Sequence, residues 1–432
     1  MRAYVIKNAT GLDGTVRTLA IQDGVFVPPD SVSGTKDVVT VDGSGLQAMP
    51  GFVDLHTHLR QPGAEGAETI ASGSRAAALG GYTAVHAMAN TDPVADTAER
   101  VCDVWNWGRQ AGYVDVRPVG AVTEGLLGLH LSDMASMANS FAAVSVFSDD
   151  GKCVHDDDLM RSTLHNAHAV GGVVAQHAQA PHLTKGAVMN AGRLSATLGL
   201  TGWPSVAEES IIERDIALAS EIGARLHVCH VSTSGSVGLI RDAKTRGVAV
   251  TAEVTPHHLL LTEELVAGFD PLFKVNPPLR STSDTIALRE ALAEGVIDVI
   301  ATDHAPHPAE AKDTTFPEAA FGMLGLESAL GVAITTMVES GMMEFSDLAR
   351  VMSSAPAAIG RLGGYENPLA LGAPAHLTLV DPTATTPHPR ASLSHNNPYQ
   401  DISLRGRVMF TFYGGVLTVR EGELVERGEG ES

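Results

Sequence analysis

From residue 51 onward the chain alternates between two textures. Short apolar runs of β-rich composition lie at 51–58, 81–88, 114–121, 142–148, 171–177, 224–230, 247–254 and 297–302. Between most of them are stretches with apolar residues at helical spacing, among them 68–79, 156–169, 205–222, 236–246 and 284–294. Strands that alternate with amphipathic helices predict parallel βα units. Eight strands are the number that closes a TIM-type (β/α)8 barrel. The expected fold class is therefore α/β with such a barrel at 51–364. A doubly wound open sheet is the alternative, but no glycine-rich phosphate fingerprint follows the first strand.

The two ends of the chain read differently. Short β-like pieces with turns occupy 3–7, 17–22, 25–26 and 36–42, and the texture returns at 375–380, 404–413 and 416–420. Gly363-Gly364-Tyr365-Glu366-Asn367-Pro368 marks a linker before the second set. A small β-sandwich built from residues 1–50 and 365–432 is the expectation. A length of 432 residues agrees, because single cores stop growing near about 250–300 residues.

Composition narrows the function classes. The formal net charge is −21, which argues against nucleic acid and anionic membranes as partners. An anionic substrate would then need a site that is locally positive. No stretch is long and apolar enough to span a bilayer, and the first residues lack the apolar core of a signal peptide. Cys102, Cys153 and Cys229 form no CxxC pair, so a disulfide framework is not expected and a reducing cytoplasm is.

The chemistry lies at the strand ends. The first strand ends in Asp54-Leu55-His56-Thr57-His58-Leu59-Arg60. Period-two alternation puts His56 and His58 on one face, which is half of a metal site, and Arg60 shares their parity. The fourth strand runs into Ser148-Asp149-Asp150, the fifth ends at His177, the sixth at His230 and the eighth at Asp303-His304. Active sites of TIM-type barrels are built at that rim. Four histidines and two aspartates suit zinc, manganese or iron, with zinc favoured by the histidines. Six ligands exceed one tetrahedral ion and suit two ions about 3.5–4 Å apart, bridged by a carboxylate. Asp150 is the bridging candidate, with Asp149 left open. Asp303 can also shuttle a proton between the attacking water and a leaving nitrogen. His86 and His227 read as packed or structural and His155 as surface, while His257 and His258 are undecided.

Two motifs resemble those of the dihydroorotases, in the long-chain bacterial class (class I) of the amidohydrolase superfamily. One is Asp54–Arg60 with Gln61-Pro62-Gly63; the other is Asp303-His304-Ala305-Pro306-His307 with Lys312. Met88-Ala89-Asn90-Thr91, the segment 147–151, Val275-Asn276-Pro277-Pro278 and Phe321-Gly322 support it. The resemblance implies that His56 and His58 hold one metal and His177 and His230 a second. It makes Asp150 the bridge and Asp303 both a ligand and the catalytic acid/base. It places Arg60, Asn90 and His307 against the substrate carboxylate and Asn276 and the backbone of Phe321 and Gly322 on the pyrimidine edge, with His58 also counted among the substrate-binding residues. The implied reaction is the reversible cyclisation of N-carbamoyl-L-aspartate to L-dihydroorotate in pyrimidine synthesis, by attack of metal-activated hydroxide.

Gln61 stands where the family often has Glu. Many relatives bridge their metals with a carboxylated lysine. The Asp-Asp-Gly pattern at 149–151 predicts an aspartate bridge instead, with Lys152 unmodified. Two zinc ions, a homodimer and an association with aspartate transcarbamoylase complete the expectations. Allantoinase- or hydantoinase-type cyclic amidases are the nearest alternative, and Arg60 and Asn90 separate them because those enzymes need no carboxylate clamp. A non-catalytic partner of aspartate transcarbamoylase is disfavoured by the intact ligand set.

Overall fold

The computed structural model describes residues 3–32 and 37–426. Lys36, read as the start of a strand, lies outside them, as do 1–2 and 427–432 of the expected terminal domain. Strands β1 (Ala3–Thr10), β2 (Val16–Gln22), β3 (Val25–Val27), β4 (Val38–Asp42) and β5 (Gln47–Pro50) come first. The middle of the chain supplies β6 (Phe52–Thr57), β7 (Tyr82–Ala87), β8 (Asp115–Pro118), β9 (Val146–Phe147) and β10 (Val173–Gln176). It continues with β11 (Met189–Asn190), β12 (Gly202–Trp203), β13 (Leu226–Val228), β14 (Val250–Val254) and β15 (Val299–Ile300). The last are β16 (Leu377–Thr385), β17 (Arg405–Tyr413), β18 (Val416–Arg420) and β19 (Glu423–Leu424).

Both ends of the chain join one nine-stranded sheet, ordered β19-β18-β17-β16-β5-β1-β2-β3, with β4 also on β1. The seam is antiparallel: Gln47 of β5 faces Val380 of β16, and Pro50 faces Leu377. Ile6, Ile21 and Phe26 from one end pack with Leu377, Leu379 and Phe412 from the other. Neither end could bury these side chains alone.

The middle is α/β. Strands β6, β7 and β8 form one parallel sheet, and β15-β14-β13-β10-β9 form another. Every residue of β6 and β7 is buried, as expected for parallel strands covered on both faces. Isolated parallel bridges link the two sheets at both edges. Gly120, just past β8, pairs with Phe147 of β9, and Thr57 of β6 pairs with His304, just past β15.

Several of the helices begin at a capping side chain. Thr69 caps Ile70–Leu79 by accepting from Ser72 N–H, so this helix starts two residues later than expected and leaves Glu68 outside it. Asp156, Thr233 and Ser281 cap Asp157–Ala169, Ser234–Thr245 and Thr282–Ala293 in the same way. Val206–Ile222 stops at Gly223, whose φ of 75° suits glycine. A helix at Ala98–Ala111 adds to those named from periodicity.

The stretch at 363–368 is not a loose linker. Tyr365 is buried, its hydroxyl lies 2.7 Å from Thr83 Oγ1, and its ring stacks on His376 at 4.8 Å. Met49, Val380, Val408 and Val419 of the terminal sheet share an apolar cluster with the helices of the middle. Among the described residues no helix is long and apolar enough to cross a membrane, and the three cysteines are free.

Candidate active site and metal centre

The parallel ladders end just before the chemistry. His58, Asp150, His177, His230 and Asp303 sit one to three residues past β6, β9, β10, β13 and β15. The expected strands at 142–148 and 297–302 shorten to Val146–Phe147 and Val299–Ile300 because the backbone turns out of the ladder there. Arg60, His230 and Asp303 have φ of 60°, 32° and 47°, left-handed values that strain a residue with a Cβ. Such strain clusters at functional sites, and here it accompanies a convergence of side chains.

Asp150 is the hub. Its Oδ2 lies 3.3 Å from Nε2 of both His56 and His58. Its Oδ1 lies 3.3 Å from His177 Nδ1 and 3.3 Å from His230 Nε2. Asp303 Oδ1 joins the first pair, 3.0 Å from His58 Nε2 and 3.6 Å from His56 Nε2. One carboxylate thus presents one oxygen to each of two imidazole pairs. Asp149 points away, accepting from the backbone N–H groups of Val122 and Thr123 and from the Thr123 hydroxyl.

A surrounding layer fixes which ring nitrogen faces inward. Glu253 Oε1 takes His56 Nδ1 at 2.6 Å and also the His230 N–H, and its Oε2 meets His227 Nε2 at 2.9 Å. Asn90 Oδ1 holds His58 Nδ1 at 2.9 Å, and Gln179 Oε1 holds His177 Nε2 at 2.8 Å. Each contact leaves the opposite nitrogen free to act as a ligand. Asp54 Oδ1 accepts from the N–H groups of His56 and Thr302, tying the first strand to the last.

The residues fit a metal. His56 Nε2 is buried without a hydrogen-bond partner, although it points at two carboxylates. His56, His58 and Asp303 gather their donor atoms in one group, and His56, Asp150 and His230 in another. Burial opposes charge on Asp303, yet His56 and His58 hold its carboxyl down at about 2. Burial likewise opposes charge on His56, but Asp150 and Glu253 push it well above the ordinary imidazole range. Three buried carboxylates draw protons onto the surrounding imidazoles, and a metal cation here would replace those protons.

Glu253→Gln tests this layer. Glutamine cannot accept from both His56 and His227 through two carboxylate oxygens. Metal affinity, measured by competition with a chelator, should fall by about 10–100-fold. Unchanged affinity would show that Glu253 does not orient His56.

The predicted substrate residues border the cluster. Arg60 Nε donates to the Pro306 carbonyl at 3.1 Å, and its Nη2 lies 3.5 Å from His307 Nε2. His307 Nε2 lies 2.7 Å from the Phe321 carbonyl, and burial and Arg60 push this imidazole down to about 3. Asn276 Nδ2 donates to Gln179, while its Oδ1 is buried and unpaired. Gly322 has φ 141°, and a Cβ there would come within 2.9 Å of His307 Nε2.

Other histidines separate by their contacts. His86 is buried on the Asp54 carbonyl and pushed down to about 4 by burial, and His155 is exposed. His227 belongs to the Glu253 network, a closer link to the site than the structural reading gave it. His258 spans Thr255 and the Pro278 carbonyl, and His257 Nε2 is buried without a partner. Glu253 and Gln179 were missed from sequence. A lone acid in the apolar run 247–254 and a polar residue of His177's parity were the available signals.

Comparison with known proteins shows the family and the fold. The family described as "Dihydro-orotase-like" matches residues 45–236. A protein of Leifsonia xyli subsp. xyli named "Dihydroorotase" is 55% identical over 98% of this chain and 97% of its own. The chain belongs to the dihydroorotase family. Another dihydroorotase, from Streptomyces coelicolor, is 52% identical over 98% of this chain and all of its own. Among solved structures, an L-hydantoinase from Arthrobacter aurescens superposes with TM-score 0.86 at 26% identity, covering 99% of this chain and 98% of its own. A dihydropyrimidinase from Brevibacillus agri superposes with TM-score 0.82 at 22% identity over 98% of this chain and 96% of its own, which shows the shared fold. Within this dihydroorotase, Lys312 of the second signature is a staple. Its ammonium donates to the carbonyls of Pro271, Lys274 and Ala320. Lys152 is exposed.

Proposed function

We infer that this protein is a dihydroorotase of the class I bacterial type. It interconverts N-carbamoyl-L-aspartate and L-dihydroorotate in pyrimidine biosynthesis. The near full-length identity to proteins of that name carries the activity. The substrate assignment rests on Arg60, whose guanidinium stands beside His307 at the edge of the His/Asp cluster. That is where the carboxylate separating dihydroorotate from hydantoin or allantoin would sit.

His56 and His58 would hold one ion and His177 and His230 a second, with Asp150 between them and Asp303 on the first. Zinc suits this donor set. When bound, it supplies the Lewis acidity that activates water and polarises the ring amide. Asp303 accepts the proton of the attacking water at a carboxylate oxygen and returns it to the ring nitrogen as the C–N bond breaks. Cyclisation runs the same proton backwards: the ureido nitrogen attacks the side-chain carboxyl and water leaves. Arg60, Asn90 and His307 grip the α-carboxylate, while Asn276 and the backbone of Phe321 and Gly322 align the pyrimidine edge.

Our architectural reading is a catalytic domain at 51–364 flanked by a β-sandwich from 1–50 and 365–432. The two bridges, Gly120 to Phe147 and Thr57 to His304, support closure of the eight parallel strands into a ring. The sharing of β1 between β4 and β5 supports a sheet folded over its own apolar cluster. A cytoplasmic homodimer that also associates with aspartate transcarbamoylase remains the expected assembly. Size exclusion with and without the transcarbamoylase tests that part.

The decisive experiment measures metal content and turnover together. Metal-replete protein should open dihydroorotate and close carbamoyl aspartate, and chelation should abolish both. A preference for hydantoin or allantoin over dihydroorotate would overturn the substrate assignment.

A further inference from the structure

We propose that Asn396 is a positioning residue that sets the spacing of the carboxylate grip. The inference rests on the substrate reading above but concerns a residue that never touches the substrate. Asn396 lies in the segment before β17 and is buried. The loop after β15 carries Asp303 and His307, and a second loop carries Phe321 and Gly322. These loops pair as backbone only briefly: His304 bridges Met323, and Ala305 N–H donates to the Met323 carbonyl at 2.8 Å. Beyond that point the Asn396 side chain takes over. Its Nδ2 donates to Ala305 O at 2.9 Å and to Gly322 O at 3.2 Å, and its Oδ1 accepts from His307 N–H at 3.1 Å.

All the inward-facing capacity of the amide is used. Two donors and one acceptor meet two carbonyls and one N–H, a match that aspartate, serine and alanine lack. Asn396 is itself anchored, since its carbonyl accepts from Leu324 N–H at 3.1 Å. The same segment is held down elsewhere by Ser392 Oγ on Glu68 and by Ser394 Oγ on the Ala67 carbonyl. Glu68 in turn faces His304 Nε2 at 3.3 Å. The irregular segment between β16 and β17 thus reaches across the catalytic loops and pins the two halves of the grip. Loss of the pin should let His307 and the Phe321–Gly322 backbone drift apart, while the metal ligands, held by Glu253 and Asn90, stay in place.

Steady-state kinetics of the metal-loaded, full-length protein on dihydroorotate test this. Asn396→Ala and Asn396→Asp should each raise KM by about 10–100-fold, the range a misplacement near 1 Å produces. The kcat should stay within about threefold, with metal content unchanged. Leu393→Ala, an exposed side chain on the same segment and away from the grip, should leave KM as in the parent. A double-mutant cycle separates positioning from general damage: Asn396→Ala combined with His307→Ala should cost little more than His307→Ala alone. Fully multiplicative effects, or an unchanged KM in a folded, metal-loaded Asn396 variant, would overturn the proposal. Leu393→Ala and Asn396→Ala raising KM equally would also overturn it. A parent enzyme inert on dihydroorotate would instead refute the substrate reading.

Discussion

Replacing Asp303 by asparagine is expected to lower kcat for dihydroorotate by about 10²–10⁴-fold, the range that positioned proton transfer contributes. Asparagine keeps the shape and still offers Oδ1 as a ligand atom, 3.0 Å from the ligand nitrogen Nε2 of His58. It cannot take a proton from water or return one to nitrogen. The remaining donors, His56, His58, Asp150, His177 and His230, stay on their own strands, so at least part of the metal should remain. Activity and metal content are therefore expected to separate. Loss of all metal with loss of activity would mean that Asp303 is chiefly a ligand. Retention of most activity would move the acid/base role to another group.

Arg60→Lys should raise KM for dihydroorotate by about 10–100-fold, from the loss of a hydrogen bond to a charged group worth roughly 1.5–3 kcal/mol. Lysine keeps the charge but not the planar fork. It also loses the geometry that fixes Arg60, whose Nε is anchored on the Pro306 carbonyl. The effect on kcat should be smaller, because the reacting amide lies at the metal cluster rather than at the grip. A KM matching the parent would show that Arg60 does not contact the carboxylate.

The parallel α/β middle and the convergence of the strand-end histidines and aspartates were legible because both are periodic or local. Parallel strands with both faces buried read as apolar runs, and the histidines followed them directly. Asp149 and Asp150 could not be separated by sequence, because the choice depends on how the chain turns after β9. The structure directs Asp149 to the backbone of Val122 and Thr123. Glu68 read as helical because it precedes an apolar period, yet Thr69 supplies the cap and Glu68 becomes a buried acid beside His304. The packed junction at Tyr365 was hidden by its glycines and proline, which signal a turn but not what the turn rests on. Asn396 carried no local signal at all, since its partners Ala305 and Gly322 are 91 and 74 residues away.

The seam between β5 and β16 bears on how the enzyme matures. Only Gly51 separates β5 from β6, the strand that carries His56, so whatever fixes β5 also fixes that ligand. The partner of β5 is made only after the whole of the middle, and Thr411 reaches back 333 residues to the Ala78 carbonyl. Contacts of such separation close late, after their loop entropy has been overcome. A ribosome that has just finished Asp303 has made every proposed ligand but not the strand that pairs with β5. Catalytic competence would then arrive abruptly with the last strands, and C-terminal truncations should lose activity well before they lose any metal-binding residue.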